Sequence, residues 1–262
     1  MNYEFCFRTD PGLARENNED SVALDEPVRL GVLADGMGGY NAGEIASGMA
    51  TTFIKPELGR WLAQAGRSAN AREVRRAMEI CVDNANRSIF NAANSNPHYS
   101  GMGTTLVLGV FQEGRVTLGH IGDSRCYRLR GTALAQVTRD HSLLQEQIDA
   151  GLITPEQAAT SINRNLVTRA LGVEDAVLLE VNEYEVEPGD IYMMCSDGLS
   201  DMVDDEEIAA ILGQDAVPLE QKAASLIDAA NANGGRDNIS VLLAQASVGA
   251  KRRGLISRLL GK

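Results

Sequence analysis

Five aspartates lie beside short apolar runs that have the pattern of β-strands. Asp35, Asp123 and Asp197 follow such runs, whereas Asp20 and Asp237 precede them. Strand ends form the rim of a β-sandwich, and a rim can bring together residues that are distant in sequence. Carboxylates that meet there raise one another's pKa values unless cations lie between them. Because oxygen ligands suit hard cations such as Mg²⁺ or Mn²⁺, the pattern predicts a carboxylate metal site.

The alternative is that each Asp-Gly pair has only the structural role of a turn, and for an isolated pair this is the better interpretation. No Cys or His has the ligand spacing of a zinc site. The aspartates stand instead in four short motifs that follow one another along the chain, which favours metal ligands over turns. These motifs are Asp35-Gly36-Met37-Gly38-Gly39, Gly122-Asp123-Ser124-Arg125, Ser196-Asp197-Gly198 and Arg236-Asp237-Asn238-Ile239.

With three further motifs, this series resembles the protein phosphatase 2C family in both content and order. The motifs are Arg15-Glu16-Asn17-Asn18-Glu19-Asp20, Asp35-Gly36-Met37-Gly38-Gly39, Gly101-Met102-Gly103-Thr104-Thr105, Gly122-Asp123-Ser124-Arg125, Thr138-Arg139-Asp140-His141-Ser142, Cys195-Ser196-Asp197-Gly198-Leu199 and Arg236-Asp237-Asn238. The resemblance spans roughly residues 3–246 and is to the compact bacterial members. It implies a metal-dependent serine/threonine protein phosphatase built as an α-β-β-α sandwich, with the metal site at one end.

The resemblance also implies a role for each metal-site residue. Asp35 bridges two Mg²⁺ or Mn²⁺ ions, and the carbonyl of Gly36 ligates one of them. Asp197 and Asp237 hold the other ion. Together these residues are the expected core of the site.

Three more acids are expected around that core. By the same resemblance, Glu19 and Asp20 act near the second metal through its waters. Asp123 looks like the ligand of a third, weaker metal, which it shares with Asp197. The implied cofactors are therefore two core ions and one weaker ion.

The implied reaction is hydrolysis of phosphoserine or phosphothreonine by a metal-activated water. Two metals lower the pKa of a bridging water, and the resulting hydroxide attacks phosphorus in line. Arg15 is expected to bind the phosphate, because a guanidinium matches phosphate oxygens with paired hydrogen bonds. Asn238 would orient Asp237 or a metal-bound water.

The general acid is the open part of this mechanism. Where eukaryotic relatives often have a His after the Asp-Gly, this chain has Met37, with Tyr40 further along the loop. Bacterial relatives share the Met, so a metal-bound water is the preferred proton donor. His141 is expected to be structural, and His98 and His120 have no assigned role.

Three functions fit these motifs. The first is an active phosphoprotein phosphatase that opposes bacterial serine/threonine kinases. The second is a silent phosphoprotein-binding module on the same scaffold, which the retained metal aspartates disfavour. The third is a hydrolase of small phosphate esters, which the motifs alone leave open.

The elements that must position this site alternate strands and helices. Strand patterns cover residues 3–8, 29–34, 104–111, 116–121, 126–129, 177–186, 191–195 and 239–244, and helical patterns cover 45–62, 71–94 and 219–231. Length alone allows one large domain or two small ones. The pattern fits an α+β fold, a four-layer sandwich of two antiparallel sheets flanked by helices, in a single catalytic domain over residues 1–246.

Two segments stand apart from this framework. Residues 140–172 are polar and irregular, and they correspond to the variable flap of the family. Arg164 and Arg169 there either contact a phosphopeptide or are surface residues. The basic tail, residues 247–262, is predicted to be a disordered terminus, with an interfacial helix touching anionic lipid or an acidic partner as the alternative.

Composition limits the partners and the cellular compartment of the protein. A net charge of -12 argues against nucleic acid as a partner and is otherwise explained by solubility or by metal-binding acids. Four widely spaced cysteines, three of them in strand patterns, suggest buried thiols in a reducing compartment. No signal peptide and no membrane-length apolar run is seen. We therefore predict a cytoplasmic monomer whose partners are phosphorylated proteins.

Overall fold

In a computed structural model that describes residues 1–39, 42–66, 69–159, 161 and 166–249, the strands form two antiparallel sheets. Sheet I has the order β1 (Asn2–Asp10), β11 (Ile239–Ser247), β10 (Ile191–Cys195), β7 (Arg125–Arg130) and β8 (Ala133–Gln136). Sheet II has the order β2 (Asp20–Asp25), β3 (Leu30–Met37), β5 (Leu106–Gln112), β6 (Arg115–Ile121) and β9 (Glu180–Glu185), and β4 (Gly103–Thr104) pairs with β3.

Helices cover the outer face of each sheet. The helices are α1 (Ala42–Ala65), α2 (Ala71–Ser95), α3 (Leu143–Asp149), α4 (Pro155–Ala159), α5 (Asp197–Ser200), α6 (Asp205–Leu212) and α7 (Leu219–Ala232), with a 3-10 turn at Pro97–Tyr99. Those on the outer faces are α1 and α2 on one side and α5 to α7 on the other. The helix predicted over residues 71–94 is confirmed as α2, and its apolar residues Val74, Met78, Val82 and Ile89 recur at helical spacing and are buried. Asn70 caps this helix in a reciprocal pair with Glu73, which satisfies two backbone donors.

Three apolar layers hold the sandwich together. One lies between sheet II and helices α1 and α2, and a second lies between sheet I and helices α5 to α7. The third lies between the two sheets, where Phe111, Tyr192 and Leu242 are almost fully buried. The predicted four-layer α-β-β-α architecture is confirmed.

Two strand predictions need correction. Asp35 does not follow its strand but lies inside β3, because the chain stays extended and pairs Gly36 with Thr104. The strand pattern over residues 126–129 comes a short glycine-bearing turn after that of β6 and predicts its hairpin partner, yet β7 pairs with β8 and β10 in sheet I. The chain therefore crosses between the sheets at Gly122–Ser124.

Both segments that stood apart in the sequence are partly described. Thr154 and Gln157 form a capping box at the start of α4, with Thr154 N–H donating to Gln157 Oε1 at 2.9 Å. In the tail, Ser247 is the last residue of β11. Arg164 and residues 250–262 lie outside the described residues, so the proposals made for them stay predictions.

All four cysteines are buried and free, as predicted, three of them in strands and Cys81 in α2. Burial raises the pKa of the Cys195 thiol to about 12, which makes it a poor nucleophile. In the described part of the chain, no helix combines the length and apolar character needed to cross a membrane.

Candidate metal centre

The aspartates singled out in the sequence meet at one end of the sandwich. Asp20 and Asp35 are direct cross-strand neighbours in β2 and β3 of sheet II. Asp197 follows β10 and Asp237 precedes β11 in sheet I, while Asp123 lies where the chain passes from one sheet to the other. The structure brings all five together, since each of the other four raises the pKa of Asp35.

Two threonines fix the backbone that carries Asp35. Asp35 N–H donates to Thr105 Oγ1 at 3.1 Å, and the Asp35 carbonyl accepts from Thr105 N–H at 2.9 Å and from Thr104 Oγ1 at 2.8 Å. Thr105 Oγ1 also shares a 2.7 Å hydrogen bond with Ser124 Oγ, directly after Asp123. The Gly-Met-Gly-Thr-Thr motif therefore links the Asp35 and Asp123 segments.

Ser196 is a site residue that the sequence reasoning missed. Its hydroxyl donates to Asp20 Oδ2 at 2.8 Å and accepts from Ser240 N–H at 2.9 Å. The other carboxylate oxygen of Asp20, Oδ1, is buried without a hydrogen-bond partner. A buried carboxylate oxygen that lacks a donor is the kind of atom that a cation or its bound water satisfies.

Glu19 lies beside the start of α1. Its carbonyl accepts from Gly36 N–H at 3.0 Å and from Ser47 Oγ at 2.6 Å. A Cβ on Gly43 would approach Glu19 Oε2 to 2.9 Å, and a Cβ on Gly36 would approach the Gly43 carbonyl to 2.1 Å. Glycine is required at both positions for this close approach.

Arg15 reaches the same rim from the loop that precedes β2. Its Nη2 donates to Asp237 Oδ2 at 2.7 Å, and the guanidinium is about half exposed. Asn238 N–H donates to Asp237 Oδ1 at 2.9 Å, whereas the Asn238 side chain bonds to the backbone of Pro11, Asn17 and Glu19. Asn238 thus contacts Asp237 through its main chain and fixes the Arg15 loop through its amide.

Burial and mutual repulsion disfavour the ionised form of the carboxylates in this group. Desolvation, followed by the charges of the neighbouring aspartates, raises the pKa of Asp35 well above its ordinary value. Desolvation and the nearby Asp123 raise the pKa of Asp197 to about 8. Desolvation likewise raises the pKa of Asp20 and of Asp123 to about 6. The set would ionise fully at neutral pH only with positive charge among its members.

The donor set fits divalent metals. It consists of carboxylate and carbonyl oxygens, one of them a buried oxygen without a donor, and its members repel one another. Mg²⁺ and Mn²⁺ prefer such ligands. Across the described residues, the one set of His, Cys, Asp or Glu whose ligand atoms all lie within 4.8 Å of one another is elsewhere, at His120, His141 and Glu180.

The remaining candidates have different surroundings. Met37 is half-buried at the end of β3, and Tyr40 lies outside the described residues. Arg169 is exposed and has its Nη1 3.5 Å from His141 Nε2. His98 lies in the 3-10 turn after α2, away from the strands that carry the aspartates.

The fold and this rim of acids agree with the family comparison. The sequence model of the family described as protein phosphatase 2C matches residues 14–243. The chain belongs to the protein phosphatase 2C family.

Two curated relatives make the likeness more specific. The serine/threonine phosphatase stp of Listeria innocua is 36% identical over 250 residues, which cover 94% of this chain and 97% of the relative. The serine/threonine protein phosphatase PstP of Mycobacterium tuberculosis is 40% identical over 242 residues, 92% of this chain but 44% of the longer relative.

Solved structures give the same result. The crystal structure of the Mycobacterium tuberculosis serine/threonine phosphatase PstP/Ppp has a TM-score of 0.86 at 37% identity and covers 95% of this chain and 100% of that chain. A second structure, the PstP catalytic domain in complex with two manganese ions, has a TM-score of 0.79 at 38% identity, with 94% and 99% covered.

Gly198 provides a test of the close packing beneath the site. A Cβ at this position would lie 2.0 Å from the Asn238 carbonyl oxygen, which belongs to the segment that carries Asp237. We expect Gly198→Ala to lower the free energy of unfolding by about 3 kcal/mol, the upper end of overpacking costs. Gly48→Ala is the matched control. It has open space inside α1 and is expected to stabilise by about 0.5–1 kcal/mol. Urea unfolding measures the free energy of unfolding of both variants, and equal values would contradict the predicted clash.

Proposed function

We propose that this chain is a metal-dependent protein phosphatase that hydrolyses phosphoserine and phosphothreonine in proteins. The observation that carries the proposal is the meeting of five carboxylates from both sheets at one rim, where the pKa values of Asp35 and Asp197 are raised and an arginine lies beside them. Membership of the family and the serine/threonine phosphatase names of the relatives support it.

For the metal ligands, the proposal keeps the set predicted from the sequence. Asp35 and the Gly36 carbonyl, together with Asp197 and Asp237, would hold two core ions. Asp123 would hold a weaker third ion with Asp197. Glu19 and Asp20 would act through bound waters, and the unpartnered Asp20 Oδ1 supports this part. The manganese complex of the PstP catalytic domain supports Mn²⁺, and Mg²⁺ has the same ligand preference.

When bound, the metals lower the pKa of a water and neutralise charge on the phosphate. The residues of the chain do the rest of the work. Asp35 and Asp197 place negative charge where the cations are needed, and Thr104 and Thr105 hold Asp35 in place. Arg15, half exposed at the rim, can turn from Asp237 toward a phosphate oxygen and bind it through paired hydrogen bonds. Met37 carries no proton to donate, so the leaving oxygen takes its proton from water.

The two alternatives make different demands on the site. A silent phosphoprotein-binding module has no need for the metal aspartates, all of which this chain retains at the rim. A hydrolase of small phosphate esters would use the same ligands. The serine/threonine protein phosphatase names of the relatives favour phosphoproteins over small esters.

The cellular setting completes the proposal. We place the enzyme in bacterial signalling, opposite serine/threonine kinases, as a cytoplasmic monomer with one catalytic domain over residues 1–246 and a flap at 140–172. The four free, buried thiols support a reducing compartment. The net charge of -12 supports partners other than nucleic acid.

The test is phosphate release from a phosphothreonine peptide with Mn²⁺, with and without chelator, beside Asp197→Asn and beside p-nitrophenyl phosphate. We expect turnover that needs the metal, is lost in the variant and has the higher kcat/KM on the peptide. Turnover in excess chelator, or full activity in Asp197→Asn, would refute the mechanism. A higher kcat/KM on the small ester would instead favour the ester hydrolase.

Replacing Arg15 tests the phosphate-binding step. Arg15→Ala removes the paired hydrogen bonds to phosphate, so we expect kcat/KM on the peptide to fall by about 100-fold, or about 2.7 kcal/mol. Arg15→Lys keeps the charge but loses the fork and should recover only part of the loss. Steady-state kinetics at saturating Mn²⁺ measure both variants. Arg236→Ala, an exposed neighbour of Asp237, is the control, and an equal loss there would show a general charge effect.

A further inference from the structure

The Thr-Arg-Asp-His-Ser motif forms a strap over the turn that carries Asp123. We use strap for residues 138–142 and metal turn for residues 122–125. Each of the first three strap residues bonds to the metal turn or to a residue beside it. Cys126 N–H donates to Thr138 Oγ1 at 2.9 Å, His120 Nε2 lies 2.8 Å from the Arg139 carbonyl oxygen, and Arg125 Nη2 donates to Asp140 Oδ2 at 2.7 Å.

The fourth strap residue, His141, holds the metal turn with two hydrogen bonds. His141 N–H donates to the Gly122 carbonyl at 2.9 Å, and Gly122 N–H donates back to His141 Nδ1 at 3.1 Å. Gly122 has φ +100°, in the left-handed region, and a Cβ there would lie 2.7 Å from the Thr105 side chain. The residue just before Asp123 is thus clamped from two sides.

These contacts define the protonation of His141. Because Nδ1 accepts from Gly122, the proton of the neutral ring is on Nε2, which donates to Glu180 Oε2 at 3.2 Å. The ring is 7% exposed and stacks on His120 with 4.7 Å between centroids. Desolvation and the neighbouring His120 lower the pKa of His141, so the ring stays neutral at neutral pH.

The same geometry argues against a metal between His120, His141 and Glu180, although their ligand atoms lie within 4.8 Å of one another. A metal on His141 Nε2 would move the ring proton to Nδ1. That proton would then face the N–H of Gly122 and break the clamp. The trio is therefore a hydrogen-bonded support.

We propose that His141 is a positioning residue that sets the metal turn and, through it, the affinity of the Asp123 metal position. It also connects this position to the flap, because the His141 carbonyl accepts from Thr168 N–H at 2.8 Å and Ser142 bridges to Val167. The proposal rests on the proposed function in taking Asp123 as a metal ligand. It assigns a role to the motif that the metal ligands leave unexplained.

Two amide variants of His141 distinguish a specific effect of its hydrogen bond with Gly122 from a general effect of packing. In His141→Asn, the side-chain oxygen can lie where Nδ1 lies and accept from Gly122. In His141→Gln, the amide reaches one methylene further, toward Glu180, and the Gly122 acceptor is lost. Calorimetric titration with Mn²⁺, with electron paramagnetic resonance of the free ion, measures each binding event without any substrate. Asp123→Ala identifies the event that depends on Asp123.

We expect Asp123→Ala to abolish the weakest Mn²⁺ binding event. His141→Gln should weaken that event about tenfold or more, as outer-shell replacements do, and leave the tighter events within about twofold. His141→Asn should remain within about threefold of the parent. Unchanged binding in His141→Gln, equal loss in both amide variants, or an unchanged titration of Asp123→Ala would overturn the proposal.

Melting temperatures show whether the variants fold. If His141→Gln does not fold, Glu180→Ala replaces it, because it removes the acceptor that favours the Nε2 proton. We expect at least threefold weaker binding of the Asp123-dependent event, and parent-like binding would overturn the proposal. Phosphate release is measured separately. A parent that binds Mn²⁺ with these mutational effects but releases no phosphate would refute the proposed function and leave the role of His141 intact.

Discussion

Asp35→Asn is expected to lower kcat/KM on a phosphothreonine peptide by at least about a thousandfold, or about 4 kcal/mol of transition-state stabilisation. Asp35 stands at the centre of the carboxylate group, and the charges of Asp20, Asp123, Asp197 and Asp237 all act on it. The amide has nearly the same shape but carries no charge. It therefore removes the proposed bridging ligand while leaving the fold intact. Steady-state kinetics over a range of Mn²⁺ concentrations measure the loss.

The same variant should be more stable than the parent when no metal is present. Desolvation and like charges raise the pKa of Asp35, so its ionised form opposes folding. Asp25→Asn is the control, because Asp25 lies at the other end of β2. We expect it to keep at least half of the parent's activity. Asp35→Asn with more than a tenth of the parent's kcat/KM would contradict the role of Asp35.

Metal removal should change both the stability of the protein and its dependence on pH. Folding raises the pKa of Asp20 and Asp123 to about 6 and that of Asp197 to about 8. The stability contributed by a group with a raised pKa is complete below its unfolded value and is lost as the pH rises through the folded value. The metal-free protein should therefore lose stability between about pH 4, near the unfolded value, and pH 8.

The expected loss is large, because each pKa unit corresponds to about 1.4 kcal/mol. Each bound Mn²⁺ ion at about 100 times its dissociation constant should return about 2.7 kcal/mol and so offset part of the decline, since the cation favours the ionised carboxylates. Urea unfolding at pH 5.5, 6.5, 7.5 and 8.5, with Mn²⁺ or with chelator, measures the two profiles. Parallel profiles with and without metal would show that these acids do not hold the ion.

The approximate strand positions and the acids that meet at the rim were predictable from the sequence, because apolar runs and polar breaks alternate clearly there. The end of β3 was not, because the strand continues through Asp35 to Met37. The sheet that each strand joins was less predictable. The run at 126–129 has the same local pattern whether it pairs with β6 or with β10. Only the crossover at Gly122–Ser124 places it in sheet I. Local periodicity records which face of a strand is buried, and it carries no information about the partner strand.

The residues that hold the site in place were mostly not predictable from the sequence, for a similar reason. Ser196 belongs to the Ser196-Asp197-Gly198 motif, yet its hydrogen bond to Asp20 spans 176 positions of sequence. The links from Thr105 to Ser124 and from His141 to Gly122 also join segments that only the fold brings together. The residue type of the carboxylates is enough to indicate a metal site. Hydroxyls and imidazoles have many structural roles, so their residue type does not indicate which one they have here.

The most direct measurement is anomalous diffraction from crystals grown with Mn²⁺, because it locates the ions without reference to turnover. We expect two strong manganese peaks with Asp35 oxygens at about 2.0–2.6 Å, the usual range for hard cations. Asp197 and Asp237 should ligate one of them, and a weaker peak at Asp123 should grow with Mn²⁺ concentration. Peaks confined to His120, His141 and Glu180, or no peak at the five aspartates, would contradict this expectation.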